Sequence, residues 1–317
     1  MKDSYNREIN YMRVSVTDLC NLRCKYCMPP EGVVKKDHRE IMTWETLFDT
    51  VRAAAELGID KIRLTGGEPL VKRGIIEICH TISHIPGVRE LCMTTNGTLL
   101  PEYADSLRRA GVSRLNISVD TLDPDRFTDI TRGGNLMDVL DGIRAADAAG
   151  FENLKINVVL AKGVNEDDIP EFVEMTRREN LEVRFIELMP IGAGIGFNRE
   201  QYVPADEVLA RVPKLVSMGK ESGVARLYTL PRAKGRVGLI RPISCEFCEG
   251  CNKIRLTADG KIKPCLHARQ EYDVRGRDYE GIRATLRRAI LEKPERRPPI
   301  DELHPSQAGR DMNEIGG

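Results

Sequence analysis

The sequence predicts an α/β fold built on a parallel sheet, and two observations over the first 190 residues carry that prediction. Short β-rich segments alternate with stretches of helical apolar spacing, and most of the helical stretches end at or just before a glycine. The β-rich segments are YMRVSVT (11–17), KIRLT (61–65), RELCMTT (89–95), RLNISVD (114–120), LKINVVLA (154–161) and EVRFIEL (182–188). The helical stretches between most of them span 43–58, 73–85, 101–111, 135–150 and 167–180. Gly58, Gly87, Gly111 and Gly150 stand where helices should stop, because glycine takes the left-handed backbone that closes a helix without steric cost. Strands separated by helices are joined by right-handed crossovers and lie parallel, which gathers binding residues at the strand C-terminal ends. Periodicity alone does not decide whether such a sheet closes into a barrel or stays open.

After Pro190 the pattern changes. IGAGIGF reads as a glycine-rich connection, ADEVLARV (205–212) as a short helix, and 215–241 as irregular strands. IRLTADGKIKPCL (254–266) reads as a hairpin around Asp259-Gly260, and a last helix is expected near 279–293 before a polar tail. The expected division is therefore a core over 1–190 and a smaller module over 191–317.

Composition bounds the function. The 317 residues carry 48 Lys+Arg against 48 Asp+Glu, which argues against a general binder of nucleic-acid backbones. Aromatics at 5% make base stacking along a single strand a poor fit. No apolar run approaches the roughly 20 residues needed to span a bilayer, and the polar start MKDSYNREIN is unlike a signal peptide. The expected location is the cytoplasm.

Nine cysteines are the anomaly, and an odd number without a signal peptide does not suggest a secreted disulfide framework. Cys79 and Cys92 sit in apolar stretches and read as buried small hydrophobes. The other seven fall into two groups: Cys20, Cys24 and Cys27, and Cys245, Cys248, Cys251 and Cys265. The first is C-x3-C-x2-C. On a helix these would form a stripe about 10 Å long; in a loop they could converge. A closed zinc site prefers four ligands in C-x2-C pairs, and only distant His38 offers a fourth here. Iron–sulfur cubanes take four Cys ligands, so three thiolates would leave one iron open to a small molecule.

Together with Tyr26 before the last cysteine and Gly66-Gly67-Glu68-Pro69 after the second β-segment, this spacing resembles the signature of the radical S-adenosylmethionine (SAM) enzymes. The resemblance implies an incomplete (β/α)6 TIM-type barrel. It also implies a first [4Fe-4S] cluster on Cys20, Cys24 and Cys27, whose open iron chelates SAM for cleavage to a 5′-deoxyadenosyl radical. Tyr26, Gly67, Ser118 and Met189 match the family's SAM-binding positions.

The likeness extends to MRVSVTDLCNLRCKYCMP (12–29), IRLTGGEPL (62–70), TTNG (94–97), LNISVD (115–120), KINVV (155–159), FIELMP (185–190), FCEGCNKIRL (247–256) and the terminal Ile-Gly-Gly. These look like the landmarks of one branch of the family, a lyase that cyclises GTP to 3′,8-cyclo-7,8-dihydro-GTP at the start of molybdenum cofactor biosynthesis. In that branch Cys248, Cys251 and Cys265 would hold a second [4Fe-4S] cluster with an open iron for the guanine. Cys245 departs from the pattern. It reads as a bystander, with a closed four-cysteine zinc or iron–sulfur site as the alternative. The resemblance further implies GTP contacts at Arg13, Arg63, Thr94, Lys155, Lys253, Ile254 and Arg255, with Lys253 standing where the branch more often has Arg. Arg13, Arg63, Gly316 and Gly317 would serve catalysis, the two glycines by insertion of the tail into the active site. An external electron donor and a homodimer are expected from the same likeness. Another radical SAM chemistry, on a peptide for example, is the runner-up; an iron–sulfur electron carrier or zinc-stabilised binding protein is the non-enzyme alternative.

Overall fold

The computed structural model describes every residue except 35, 193–195, 197–199, 301–303 and 317. Gly317, expected in the active site, and most of the glycine-rich connection over 191–197 lie outside the described residues. The first half runs β1 (Tyr11–Ser15), α1 (Trp44–Glu56), β2 (Lys61–Thr65), α2 (Ile75–Ser83), β3 (Glu90–Thr95), α3 (Leu100–Arg109), β4 (Val112–Ser118), α4 (Pro124–Thr131), α5 (Leu136–Ala148), β5 (Lys155–Leu160), α6 (Ile169–Arg178) and β6 (Glu182–Glu187). All six expected strands form, each parallel to the next in chain order. Gly58, Gly87, Gly111 and Gly150 take positive φ at the helix ends as expected. The helix α4 was not foreseen. Asp123 starts it by accepting from the Arg126 N–H at 2.9 Å, with Pro124 in its first turn.

The second half adds α7 (Glu207–Arg211), β7 (Val216–Ser222), β8 (Ala225–Thr229), β9 (Arg236–Ile240), β10 (Lys253–Leu256), β11 (Lys261–Lys263), β12 (Tyr272–Asp273), α8 (Tyr279–Leu291) and α9 (Met312–Ile315). The hairpin around Asp259-Gly260 is present as β10 and β11. Among the described residues, twelve strands make one sheet in the order β12-β11-β10-β1-β2-β3-β4-β5-β6-β9-β8-β7. The late strands thus flank the early six on both sides: β10 pairs in parallel with β1, and β9 with β6. With β7 and β12 at opposite ends, the barrel is incomplete.

Strand alternation sorts this sheet into two chemically different faces. Met12, Val14, Ile62, Leu64, Ile156 and Phe185 are fully buried in the main apolar core, which also takes in Leu47, Ile78, Leu107 and Phe172 of the helices. The alternate positions are polar: Tyr11 and Arg13 on β1, Lys61 and Arg63 on β2, Lys155 and Asn157 on β5, Glu182 and Arg184 on β6. The helices therefore hold the sheet by its apolar face and leave the other for ligands. Among the described residues, no helix is long and apolar enough to cross a membrane.

Candidate active site

The loop after β1 carries the first cysteine group, and the turn after β2 is fitted to it backbone against backbone. Gly67 and Glu68 donate their N–H groups to the carbonyls of Thr17 and Leu19, both at 2.9 Å. Gly66 holds φ 138°, and a Cβ there would stand 2.1 Å from the Thr17 carbonyl oxygen, so no other residue fits. Glu68 is buried and locks the turn to the end of β3. Its carboxylate accepts from Leu70 N–H (3.0 Å), the Thr95 hydroxyl (2.8 Å) and Asn96 N–H (2.6 Å). Burial still pushes its pKa up to about 7 against those bonds.

Cys20, Cys24 and Cys27 line one cavity of about 190 Å³ with Tyr26, Gly67, Ser118 and Met189. All four expected SAM-binding residues therefore face the same space as the first cysteine group. The Tyr26 hydroxyl donates to Asp120 at 2.6 Å, and Asp120 also accepts from Val159 N–H at 2.9 Å. Burial pushes the Asp120 carboxyl up to about 6. Burial likewise pushes the thiols of Cys20 and Cys27 up to about 11 and about 12, and Cys24 well above its usual range. Such thiols give up their protons to a metal rather than to water. Asn157, on the cavity wall, keeps a buried Oδ1 without a hydrogen-bond partner. The donor set fits a cluster with an open iron: three thiols and, among the described lining residues, no fourth Cys or His.

Cys248, Cys251 and Cys265 line a second cavity, also of about 190 Å³, together with Arg13, Lys253 and Arg255. The two cavities share Ile186 and Met189 as walls. Cys245 lies apart, in a neighbouring pocket, with Arg226 Nη2 at 3.9 Å from its sulfur. The second donor set, three thiols around one cavity, also fits a cluster.

The cations form a register. Arg255, Arg13 and Arg63 sit opposite one another on β10, β1 and β2. Lys61 and Lys253 lie over the Tyr11 ring at 5.3 and 5.7 Å. Arg63 is buried, donating to the Tyr11 hydroxyl (2.6 Å), the Met93 carbonyl (3.0 Å) and the Thr94 hydroxyl (3.4 Å). Burial, with Arg13 beside it, pushes Arg255 down to about 9. Lys155 is paired with Glu182 at 3.0 Å, but burial and neighbouring Arg184 still bring it down to about 8. Glu182 also pairs with Arg184 and with Arg236, so one carboxylate serves three cations. Guanidinium groups crowded onto one buried face repel one another, and a polyanion relieves that strain. Ile254 points the other way, fully buried in the apolar core, which leaves only its backbone for a ligand.

The tail reaches these cations. The Gly316 carbonyl accepts from Arg13 Nε at 3.3 Å and from Arg255, which also donates to the Ile315 carbonyl at 3.0 Å. Gly316 lies so close to β2 that a Cβ would stand 2.1 Å from the Thr65 hydroxyl.

Comparison with known proteins decides the family. Residues 14–176 match the radical SAM superfamily, and residues 181–301 match the molybdenum cofactor synthesis C family. A GTP 3′,8-cyclase of Alkaliphilus oremlandii is 50% identical over the full length of both chains; that of Alkaliphilus metalliredigens is 49% identical with the same coverage. The chain belongs to the GTP 3′,8-cyclases of the radical SAM superfamily. As a member it takes SAM and a [4Fe-4S] cluster, and its two cysteine groups provide for two clusters. The fold also resembles solved radical SAM structures. Streptococcus suis SuiB bound to the precursor peptide SuiA superposes with a TM-score of 0.60 at 16% identity, over 88% of this chain and 67% of that one. Escherichia coli coproporphyrinogen III oxidase gives 0.52 at 12% identity, over 87% and 69%. Such low identities speak for the fold alone.

Sequence reasoning missed several residues of this cyclase's cavities. Lys293, which donates to the Lys253 carbonyl at 2.9 Å and to that of Pro264, lines the second one. Arg297 lines it too, with its backbone N–H directed at Cys248 Sγ at 3.4 Å. Tyr11 and Arg184, which line neither cavity but pair with the residues around the cations, lay in plain view as alternate residues of recognised strands.

Proposed function

We propose that this chain converts GTP to 3′,8-cyclo-7,8-dihydro-GTP, the opening step of molybdenum cofactor biosynthesis, with each residue acting as its place suggests. The observation that carries the reading is the junction of the two cavities: a thiol-lined space and a cation-lined space share Ile186 and Met189. A nucleoside triphosphate spanning that junction would meet cations at one end and the SAM-side chemistry at the other. The bound clusters and SAM supply one-electron chemistry at the ribose and base; the protein supplies position and dryness.

Cys20, Cys24 and Cys27 are the ligands of the first cluster, and Cys248, Cys251 and Cys265 those of the second. Tyr26, held by Asp120, shapes the SAM cavity with Gly67, Ser118 and Met189. Arg13, Arg63, Lys155, Lys253 and Arg255 balance the phosphates, with Thr94 and the backbone at Ile254 as further contacts. Gly316 brings main chain to the reacting nucleotide at a place where a side chain would collide, and Gly317 shares its catalytic part. We also read the chain as a core to about residue 190 followed by the second-cluster module, working as a cytoplasmic homodimer fed by an external electron donor.

The test is anaerobic reconstitution followed by iron analysis and incubation with dithionite, SAM and GTP. About eight irons per chain, the content of two cubanes, with GTP-dependent 5′-deoxyadenosine and cyclised nucleotide, is the expected result. SAM cleavage stimulated by a peptide and not by GTP would reject the reading. About four irons plus zinc would reject the second cluster.

A further inference from the structure

A chain terminus that must place one carbonyl between two guanidinium groups needs an anchor, because unanchored termini fray. Beyond Ser306, which meets Pro190 and His267, the tail has two charged anchors among the described residues, and each is tied to a different cysteine-bearing segment. Arg310 is inserted between Asp259, in the turn of the β10–β11 hairpin, and Glu271, in the loop that follows it. Its Nη1 and Nη2 reach the Asp259 carboxylate at 3.1 and 2.9 Å, and its Nε and Nη2 reach Glu271 at 2.6 and 2.7 Å. The guanidinium is largely shielded, at 12% exposure. Lys263, fully buried beneath it, donates to Glu271 at 3.0 Å and to the Ala308 carbonyl of the tail at 3.1 Å. The second anchor lies at the first cysteine loop. Lys36 bridges Glu314 of the tail (2.8 Å) and Asp18 (3.1 Å), and Asn313 donates to the Asp18 carbonyl at 2.9 Å. Asp18 precedes Cys20 by two residues.

We propose that Arg310 is a positioning residue of the cyclase: its two-carboxylate clasp fixes the tail so that Gly316 reaches Arg13, Arg255 and Thr65. The fork geometry matters as much as the charge, since two planar carboxylates held by one planar guanidinium fix direction as well as distance. The hairpin that offers Asp259 also carries Arg255 and leads to Cys265, so the clasp sets the tail in the frame of the second cavity. The Lys36 bridge sets it against the first. This inference rests on the reading that the tail takes part in cyclisation.

The experiment uses the full-length, cluster-loaded enzyme as wild type, Arg310→Gln and Arg310→Lys, with amide hydrogen exchange over residues 304–316 read beside product formation. In Arg310→Gln, tail amides should exchange about tenfold faster or more, while peptides around β1 to β6 keep their protection. Cyclised nucleotide should fall by about tenfold or more, and a synthetic peptide of residues 304–317, added in excess, should restore it by occupying the vacated clasp. Arg310→Lys, which keeps the charge but loses the fork, should fall between the two. Unchanged tail exchange in Arg310→Gln, or an activity loss that the peptide leaves in place, overturns the proposal. If Arg310→Gln fails to fold, Asp259→Asn opens the same clasp from the other side and is judged by the same readouts. Should the wild type form no cyclised nucleotide, the functional reading fails, and exchange alone then decides whether the clasp holds the tail.

Discussion

The two cysteine sites each gather three thiols around similar volumes, yet their electrostatic surroundings are opposite. Behind the lining around Cys20, Cys24 and Cys27 stand two carboxyls, Glu68 bonded to Thr95 and Asn96, and Asp120 bonded to Tyr26, raised by burial to about 7 and about 6. Around Cys248, Cys251 and Cys265 stand Lys253, Arg255, Lys293 and Arg297. One thiol registers the contrast, although Cys248 beside it is raised by burial as the first-site thiols are. Burial works upward on both sites, but at Cys251 the charges of Lys293 and Lys253 outweigh it and hold the thiol below its usual range. A site edged with acids suits a cofactor carrying a sulfonium and an ammonium, and a site edged with bases suits a triphosphate. What separates the two sites is therefore the wall around the sulfur, not the sulfur count.

The largest effects come from removing one site at a time. Cys24→Ser should halve the iron from about eight to about four per chain and abolish SAM cleavage. Cys251→Ser should lose the other half of the iron yet keep SAM cleavage, uncoupled from nucleotide product. Equal loss of SAM cleavage in both would erase the distinction between the sites.

Next in size is a matched pair of wall substitutions. Arg255→Met removes a charged donor worth about 1.5–3 kcal/mol, so the GTP dissociation constant should rise about 10- to 100-fold with SAM binding unchanged. Tyr26→Phe removes one neutral donor to Asp120 and should weaken SAM binding by only about fivefold, near 1 kcal/mol, with GTP binding unchanged. Calorimetry of each ligand on each variant checks the cross.

The pH profile separates the walls more gently. Lys155, pushed down to about 8, and Arg255, pushed down to about 9, lose charge as the pH rises, and a bound polyanion favours their protonated forms. GTP binding should then take up protons, and its affinity should fall between about pH 8 and 9.5, approaching tenfold per unit. The carboxyls behind the SAM cavity, Asp120 at about 6 and Glu68 at about 7, are already ionised there, so SAM affinity should stay flat over the same range. The smallest expected effect is at Cys245, which lines neither cysteine cavity: Cys245→Ser should retain the iron content and stay within about twofold of wild-type turnover. Loss of the second cluster in that variant would restore the four-cysteine site.

Much of this was legible because local pattern and local structure coincide. The six early strands and the glycine-ended helices follow from alternation and periodicity, and the cysteine spacing with Gly66-Gly67-Glu68-Pro69 marks the first cavity directly. The helix α4 escaped because its stretch is short and polar, although Asp123-Pro124 is an ordinary helix start. The joining of β10 to β1 and of β9 to β6 left no local trace, since nothing in either segment names a partner so distant in the chain. Ile254 illustrates a finer point. Between Lys253 and Arg255 on a strand, its side chain had to face the apolar core, so motif and geometry assign it different surfaces. Cys92 is buried as expected, but beside Arg63 and within 3.5 Å of Glu90 rather than among hydrocarbons.

The pairing of β1 with β10 also bears on how this molecule comes into being. Tyr11 and Lys253 are register partners about 240 residues apart, so one side of the first strand stays bare while most of the nascent chain is made. At about 5–20 residues per second that interval is roughly 10–50 s. During it, the unpaired N–H and C=O groups of β1 are a template for any other strand within reach. A chain cut near residue 190 would make that condition permanent at both β1 and β6, and should aggregate rather than persist as a free half-enzyme.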